Sequence, residues 1–493
     1  MTHRRISLAA LALLGVAACT PPGATSSAVV KDPVPAGKDI GAGTARFDAQ
    51  KIRWGACTQE DVNEGVTCGR LTVPVDWEKK DSRTVDLQVY RWEAADRAKK
   101  RGTILNMPPG PGDSGYMGFS DLRKHLPQYD LIALDPRGIG NSGPLQCPSA
   151  NALKVPRVPP TTEAGFAALR ANQSVLWSKC RTEPAGLKNH LDAFSNAKDA
   201  EVLRKSLGLE RINLYGFSYG TLTAERYLGL FGEHVNGSLL EGVMNPVLSR
   251  RDFVTSAAAA NEALYRRFST WCEKDAACVL RGQDVPKVLE QARRKARDGE
   301  LPGTLNGLPW SESTVTAYLE TALGNNRFGD AAKGLKDLSE GRHPEPEEGG
   351  GSGGQEEVPP EVPYADPIVC SSFDLAVKSP KDAEGDLAST RRAAPVLRYS
   401  TNSSAYSSLC VGAPAPAAGS SAPVTSRSDR PAMLLSNTYD PSTPRAWADG
   451  VARQLGKKAL HTVTDAIGHG GAFSNTATRQ KIVDYFDRSN KAS

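Results

Sequence analysis

The chain has 493 residues, of which 39% are hydrophobic, so it is long enough to bury a large core and to form two or three structural units. Its 60 Lys and Arg residues nearly balance 55 Asp and Glu residues, and the net charge of +5 is spread without a basic block. This pattern argues against a nucleic-acid-binding protein, which needs a concentrated positive surface.

Residues 1–18 have the pattern of a bacterial export signal. A basic start is followed at 6–18 by an apolar stretch that is too short to cross a bilayer but suits a signal-peptide core. Small residues precede Cys19, as in a bacterial lipobox, so we expect lipidation of Cys19 and attachment to the outer face of the cell membrane through that lipid alone. An ordinary secretory signal is the alternative.

Export would give the remaining cysteines an oxidising environment in which disulfides persist. Eight cysteines remain after Cys19; they allow many pairings, but short loops favour sequence neighbours. We predict the pairs Cys57–Cys68, Cys147–Cys180, Cys272–Cys278 and Cys370–Cys410. A zinc site is the competing interpretation, but the sequence has no Cys-x-x-Cys pair and no His at ligand spacing from a Cys. No metal or cofactor is predicted.

Residues 19–46, rich in Pro, Gly, Ala and Ser, are predicted to be a disordered tether, and after them strand-like and helix-like patterns alternate. A helix is predicted at 198–207, with Ser195 or Asn196 as its N-cap. The predicted strands are 66–77, 85–94, 103–107, 131–135, 212–215, 239–244, 432–436 and 460–464. Such alternation favours an α/β fold with a mostly parallel, doubly wound sheet.

Strand-like and helix-like patterns do not alternate within residues 247–425, and this stretch divides the predicted core into parts at 47–246 and 426–493. It contains helical patterns at 257–272 and 285–297, and a Gly-, Pro- and Glu-rich tract at 343–364. We interpret it as an inserted, mainly helical lid domain with a flexible loop at that tract.

Gly216-Phe217-Ser218-Tyr219-Gly220 matches the nucleophile-elbow motif Gly-x-Ser-x-Gly. The same pattern occurs at 350–354, but only Ser218 has a predicted strand before it and a helical pattern, 221–231, after it. Ser218 is therefore the predicted nucleophile of an α/β-hydrolase fold.

A serine nucleophile needs a histidine base and an orienting carboxylate, which follow in the order Ser, Asp, His in this fold. His469 lies in a Gly-rich loop after the last predicted strand, whereas His461 lies within that strand. Asp440 follows the preceding strand, in the position from which a carboxylate orients the imidazole. Asp449 and Asp465 are less well placed, so we predict the triad Ser218, Asp440 and His469.

Acyl transfer also needs N–H donors for the oxyanion. The amide of Tyr219 is the first predicted donor. The second is expected in the loop at 108–115, where Pro109 and Pro111 have no N–H, so Gly110 is the first choice and Gly112 the second. The turn at 135–142 is interpreted as structural.

These stretches resemble the secreted bacterial tripeptidyl aminopeptidases and their prolyl-aminopeptidase relatives in the α/β-hydrolase superfamily. The pieces that carry the resemblance are 68–77, 110–112, 135–142, 216–221, 440–444 and 468–470. Two departures are Pro109, where the family usually has Gly, and Asn245, where it tends to have Asp.

The resemblance implies a serine exopeptidase that acts through an acyl-enzyme and releases short peptides, commonly tripeptides, from substrates with a free N-terminus. We expect a carboxylate to pair with the substrate ammonium, and Glu241, Asp113 and Glu262 are the candidates. Two alternatives remain: a cell-envelope carboxylesterase or lipase with the same triad, and a lipid-anchored binding protein without turnover. The sequence gives no basis for an oligomeric state.

Overall fold

The computed structural model describes residues 45–59, 62–344, 360–364 and 366–491. The predicted signal peptide, Cys19 and nearly all of the predicted tether lie outside these residues. Most of the predicted loop at 343–364 also lies outside them, together with the second Gly-x-Ser-x-Gly match. None of the helices in the described part of the chain is long and apolar enough to cross a membrane.

The described chain alternates between strands and helices. Its strands are β1 Gly55–Ala56, β2 Thr67–Pro74, β3 Thr84–Trp92, β4 Gly102–Met107, β5 Tyr129–Leu134, β6 Gln146–Pro148, β7 Ile212–Phe217, β8 Val235–Glu241, β9 Thr304–Leu305, β10 Leu308–Pro309, β11 Glu361–Pro363, β12 Ala432–Tyr439 and β13 Ala459–Ile467. Its α-helices are α1 Ala45–Asp48, α2 Phe119–His125, α3 Ser149–Ala152, α4 Glu163–Lys179, α5 Ala193–Ser206, α6 Gly220–Phe231, α7 Arg250–Lys274, α8 Val285–Arg297, α9 Glu312–Gly324, α10 Phe328–Ser339, α11 Pro380–Ala393, α12 Thr401–Leu409, α13 Arg445–Leu455 and α14 Thr476–Lys491.

Nine of the described strands form one sheet, in the order β1-β2-β3-β5-β4-β7-β8-β12-β13. The pairs β1–β2, β2–β3 and β3–β5 are antiparallel, and every later pair is parallel. Residues of α5, α6 and α13 pack against one face, and residues of α2 and α14 pack against the other. The central strands are buried on both sides, which is why they read as continuous apolar runs. The predicted α/β-hydrolase architecture is confirmed.

Most predicted elements differ at their ends from the observed ones, and for two of them the local cause is visible. β8 begins at Val235 and ends at Glu241, because Gly242 leaves the extended conformation with φ +60°. Helix α5 begins at Ala193, since the Asp192 side chain accepts the N–H groups at 194 and 195 and caps the helix. Ser195 lies inside the first turn and donates its hydroxyl to Asp192, so the predicted caps Ser195 and Asn196 were wrong.

Helices α7 to α10 enclose a second hydrophobic core, separate from those on the two faces of the sheet. Its most buried side chains include Leu264, Phe268, Leu289, Leu335 and Leu338. This core lies within residues 247–425 and supports the predicted lid domain, whose limits and function stay a prediction.

Disulfide bonds join Cys57 to Cys68, Cys147 to Cys180, Cys272 to Cys278 and Cys370 to Cys410 in the described structure. These are the neighbour pairs that short loops favour. The smallest loop, Cys272–Cys278, closes the chain directly after α7, and Cys370–Cys410 connects a 3₁₀ turn to the end of α12.

Candidate active site

The predicted nucleophile turn joins β7 to α6 near the middle of the sheet. Ser218 has φ +52°, a left-handed conformation that is rare for a residue with a side chain and typical of strained functional turns. A Cβ on Gly216 would lie 3.0 Å from the Gly220 oxygen, and a Cβ on Gly220 would clash with the carbonyl oxygens of Met107 and Pro108. Gly220 is therefore required sterically, and a side chain at Gly216 would need its neighbours to shift by a few tenths of an ångström.

Asp440 follows β12, and its side chain is 1% exposed. The Nδ1 atom of His469 lies 3.0 Å from Oδ2 and 3.1 Å from Oδ1 of this carboxylate. The N–H groups of Ser442 and Thr443 donate to Oδ1 at 2.8 and 2.9 Å, and Thr443 Oγ1 donates to Oδ2 at 2.9 Å. The carboxylate is thus fixed by its own turn and oriented toward the imidazole, as an orienting acid requires.

The surroundings of His469 favour its charged form. Burial alone would lower the pKa of His469, but the charge and hydrogen bond of Asp440, with a further contribution from the charge of Glu241, raise it above its ordinary value. The imidazole must be neutral at Nε2 to act as a base, so its function requires a pH above that raised pKa.

The loop that carries His469 is held on both sides of the histidine. Gly468, Gly470 and Gly471 all have positive φ, between 82° and 114°, which allows the tight bend. The amide of Asn437 donates to the carbonyl oxygens of Gly468 at 2.9 Å and Gly470 at 2.7 Å. Asn437 therefore clamps the backbone directly before and after the imidazole.

His469 lies beside the nucleophile turn. Its ring centroid is 4.9 Å from that of Phe217, the residue before Ser218, and a Cβ on Gly242 would lie 3.0 Å from its Cε1 atom. Among the described residues no hydrogen bond joins Ser218 Oγ to His469 Nε2. Hydrogen bonds of this kind are commonly long in a site without substrate and shorten when substrate binds.

Both predicted oxyanion donors are paired within the protein. The N–H of Tyr219 donates to the carbonyl oxygen of Pro109 at 2.7 Å, and the N–H of Gly110 donates to Asp113 Oδ2 at 2.9 Å. In this conformation neither amide is free to bind an oxyanion, so the role of Tyr219 and Gly110 as oxyanion donors stays a prediction. Asp113 offers Gly110 a local acceptor three residues later, whereas the pairing of Tyr219 is a long-range contact with the Pro109 carbonyl, which faces the nucleophile turn.

The turn at 135–142 is hydrogen-bonded to the loop at 108–115. Asp135 is fully buried and accepts hydrogen bonds from Tyr90, Ser114 and the N–H of Gly115. Arg137, also fully buried, pairs with the carboxylate of Asp199. These contacts fit the interpretation of this turn as structural.

Two of the three acids predicted to bind the substrate ammonium are buried. Glu241 is 4% exposed and Glu262 is 1% exposed. The Glu262 carboxylate accepts the N–H groups of Val396 and Leu397, the latter at 2.9 Å. Glu241 also has both carboxylate oxygens hydrogen-bonded within the protein, to Tyr215 and Ala472. The structure therefore does not favour either acid as the partner of a substrate ammonium, and only Asp113 lies on a partly exposed loop at the site.

The competing histidine has partners of its own. His461 is on β13, where its ring lies 2.8 Å from Ser436 Oγ and 3.3 Å from Asp449. Burial lowers the pKa of His461 despite the charge of Asp449. Within the described ranges, no group of three or more His, Cys, Asp or Glu side chains is placed to hold a metal ion.

A cavity of about 430 Å³ lies on the side of the histidine loop that faces α2 and α14. Its lining includes Pro109, Asp121, Phe217, Glu241 and Gly471. Because Phe217 and Gly471 lie within two residues of Ser218 and His469, the cavity is adjacent to the candidate nucleophile and base.

Sequence reasoning missed three residues of this site: Asn437, Thr443 and Glu241 as a structural contact. Thr443 lies in the Asp440 turn, so its proximity was readable from the short spacing. Asn437 donates to carbonyl oxygens that lie 31 and 33 positions later in the sequence, and no local pattern marks such a contact.

The sheet and the placement of Ser218, Asp440 and His469 define the class of this protein as a serine hydrolase of the α/β-hydrolase fold. The α/β hydrolase fold model matches residues 103–318, and the TAP-like protein model matches residues 395–492. The chain thus has the α/β-hydrolase fold, and its C-terminal part is similar to TAP-like proteins.

Curated relatives fall into two groups. Serine protease Hip1 of Mycobacterium tuberculosis is 28% identical over 257 residues, covering 49% of this chain and 48% of the relative. Tripeptidyl aminopeptidase of Streptomyces lividans is 27% identical over 264 residues, covering 50% and 49%. The match to each spans about half of that relative's length. Carboxylesterase B of Mycobacterium tuberculosis is 26% identical over 480 residues, covering 89% of this chain and 88% of the relative.

Proposed function

We propose that the protein is an extracellular serine exopeptidase that releases short peptides from free N-termini. The observation that carries the proposal is the buried Asp440 bonded to His469 beside the strained turn of Ser218. The peptidase relatives support a peptide substrate, and release of tripeptides is the finer part of the proposal.

In the proposed reaction, His469 Nε2 takes the proton of Ser218 Oγ as that oxygen attacks the scissile carbonyl carbon. The carbon–nitrogen bond then breaks, the imidazolium returns the proton to the leaving amine, and an acyl-enzyme remains on Ser218. Water attacks the ester with the same base, and the acid product leaves with Ser218 protonated again.

The oxyanion step requires a change in the loop after β4. The Pro109 carbonyl must leave the Tyr219 N–H, and Gly110 must leave Asp113, before either amide can bind the developing charge. Turning the peptide between residues 109 and 110 would accomplish both changes at once.

We propose that Asp113 pairs with the substrate ammonium, since Glu241 and Glu262 are buried. The test compares tripeptide anilides with free and acetylated N-termini, in the wild type and in Asp113→Asn. We expect the free substrate to be preferred and the substitution to raise KM for it alone. Equal rates on free and acetylated substrates would refute N-terminal recognition, and Ser218→Ala controls for background hydrolysis.

A cell-envelope carboxylesterase with the same triad is the second candidate, favoured by the relative that aligns along 89% of the chain. Rapid hydrolysis of short acyl esters, without cleavage of any peptide in a mixed library, would select it. Mass spectrometry of the library digest reports the bond cleaved and the number of residues released.

Lipid anchoring at Cys19 is also part of the proposal. We expect the full-length protein to fractionate with membranes and Cys19→Ala to abolish incorporation of labelled fatty acid. Unchanged incorporation in Cys19→Ala would exclude this anchor.

A further inference from the structure

Glu241 contacts both halves of the candidate catalytic pair. Its backbone carbonyl accepts the N–H of Ser218 at 2.8 Å. Its side-chain Oε1 accepts the N–H of Ala472, in the histidine loop, at 2.7 Å. One residue at the end of β8 therefore connects the nucleophile turn to the loop that carries His469, which lies more than 200 positions later in the sequence.

The second side-chain oxygen of Glu241 is also bonded. Tyr215, on the neighbouring strand β7, donates its hydroxyl to Oε2 at 2.6 Å. The next residue, Gly242, lies against the imidazole, because a Cβ there would be 3.0 Å from His469 Cε1. Glu241 thus has both carboxylate oxygens bonded, and its main chain continues into the surface on which the imidazole packs.

We propose that Glu241 is a positioning residue that sets the separation and orientation of Ser218 and His469. The proposal rests on the proposed function, since it assigns a role to Glu241 in the same serine–histidine chemistry. A buried carboxyl group is costly unless its hydrogen bonds are satisfied, and these are satisfied by a strand next to the nucleophile and by the histidine loop.

The charge of Glu241 also acts on the imidazole of His469. The charged groups acting on His469 are Asp440, which is bonded to it, and Glu241 from β8. Burial opposes ionisation of Glu241 and raises its pKa, while bonds from Tyr215 and Ala472 favour the ionised form. The charges of Glu241 and Asp440 both raise the pKa of His469, so removing the former lowers that pKa.

The experiment compares Glu241→Gln with a matched control, Glu225→Gln. Glu225 is 1% exposed on α6, and neither of its carboxyl oxygens has a hydrogen-bond partner among the described residues. Both substitutions remove one buried carboxyl group, but only Glu241 contacts the histidine loop. The readouts are kcat and KM across pH 5 to 9 on an activated ester, and labelling by a fluorophosphonate probe.

We expect Glu241→Gln to lower kcat about tenfold or more, leave KM within about twofold, and move the acid limb of kcat/KM to lower pH. Tyr215→Phe removes one of the two side-chain bonds and should give a smaller loss of kcat. It serves as the second variant should Glu241→Gln fold poorly. Glu225→Gln should leave kcat and the acid limb unchanged.

A Glu241→Gln enzyme with the wild-type kcat and acid limb would overturn the positioning role, as would an equal loss in both Gln variants. Should Glu241→Gln fail to fold, an unchanged kcat in Tyr215→Phe would have the same meaning. Failure of the proposed function gives a different result: the wild type would then neither turn over an ester or peptide nor be labelled at Ser218, and the positioning role would fall with it.

Discussion

The oxyanion loop offers the sharpest test of how this site works. In the conformation described, the Gly110 N–H donates to Asp113 and the Tyr219 N–H donates to the Pro109 carbonyl. A donor that is paired elsewhere cannot stabilise the oxyanion, and losing one such donor costs about 10²- to 10³-fold in kcat in serine hydrolases. In the proposed mechanism the loop therefore opens during each catalytic cycle, and its opening contributes to the barrier.

We predict that Asp113→Ala raises kcat on a neutral ester. The substitution removes the acceptor that holds Gly110, and the net free energy of one such hydrogen bond is about 1 kcal/mol because Asp113 is partly exposed. If opening limits the chemical step, that difference corresponds to an increase of about fivefold in kcat. A neutral ester is chosen because it has no ammonium group, so the proposed binding role of Asp113 does not enter.

The assay is steady-state hydrolysis of a nitrophenyl ester by enzyme quantified through active-site labelling. Asp113→Asn is the matched control, since its amide oxygen can still accept from Gly110 and should leave kcat near the wild-type value. An unchanged or lower kcat in folded Asp113→Ala would refute the view that this hydrogen bond holds the donor away from the oxyanion.

Three further predictions concern the triad, its support and the buried Glu320 on α9. Asp440→Asn should lower kcat about 10⁴-fold by disturbing the imidazole tautomer, with little change in melting temperature; a loss below about tenfold would contradict the role of Asp440. Asn437→Ala should lower kcat about 10- to 100-fold with KM nearly unchanged, because it frees both sides of the His469 loop, and unaltered kinetics would show that the clamp is dispensable. Burial raises the pKa of Glu320 to about 7. The contribution of Glu320 to the free energy of unfolding is therefore complete below about pH 4.5, and it falls by about 3 kcal/mol as the pH rises through 7. Urea unfolding at pH 5 and pH 8 should therefore show a smaller loss of stability with pH in Glu320→Gln than in the wild type. Equal losses in the two proteins would refute the raised pKa of Glu320.

Much of the candidate site was predictable from the sequence, because its main parts are local. The Gly-x-Ser-x-Gly pattern at Ser218 marks a strand–turn–helix connection that local sequence identifies. The clash that excludes a side chain at Gly220 is with Met107 and Pro108, and it depends on the packing of β4 beside this turn. The order of Asp440 and His469 follows from the positions of the last two strands. The parallel strands were recognisable because burial on both faces requires continuous apolar runs.

The contacts that tune this site were decided by tertiary structure. Glu241, Glu262 and Asp113 are all acidic residues in the sequence, yet the fold buries the first two and leaves the third on a partly exposed loop. Whether an amide such as that of Tyr219 is free or paired depends on where the Pro109 carbonyl lies, more than 100 residues earlier. Local sequence specifies which backbone shapes and chemical groups are available. Burial and long-range hydrogen bonding arise only when distant segments pack together, and these determine which groups face the substrate and with what charge.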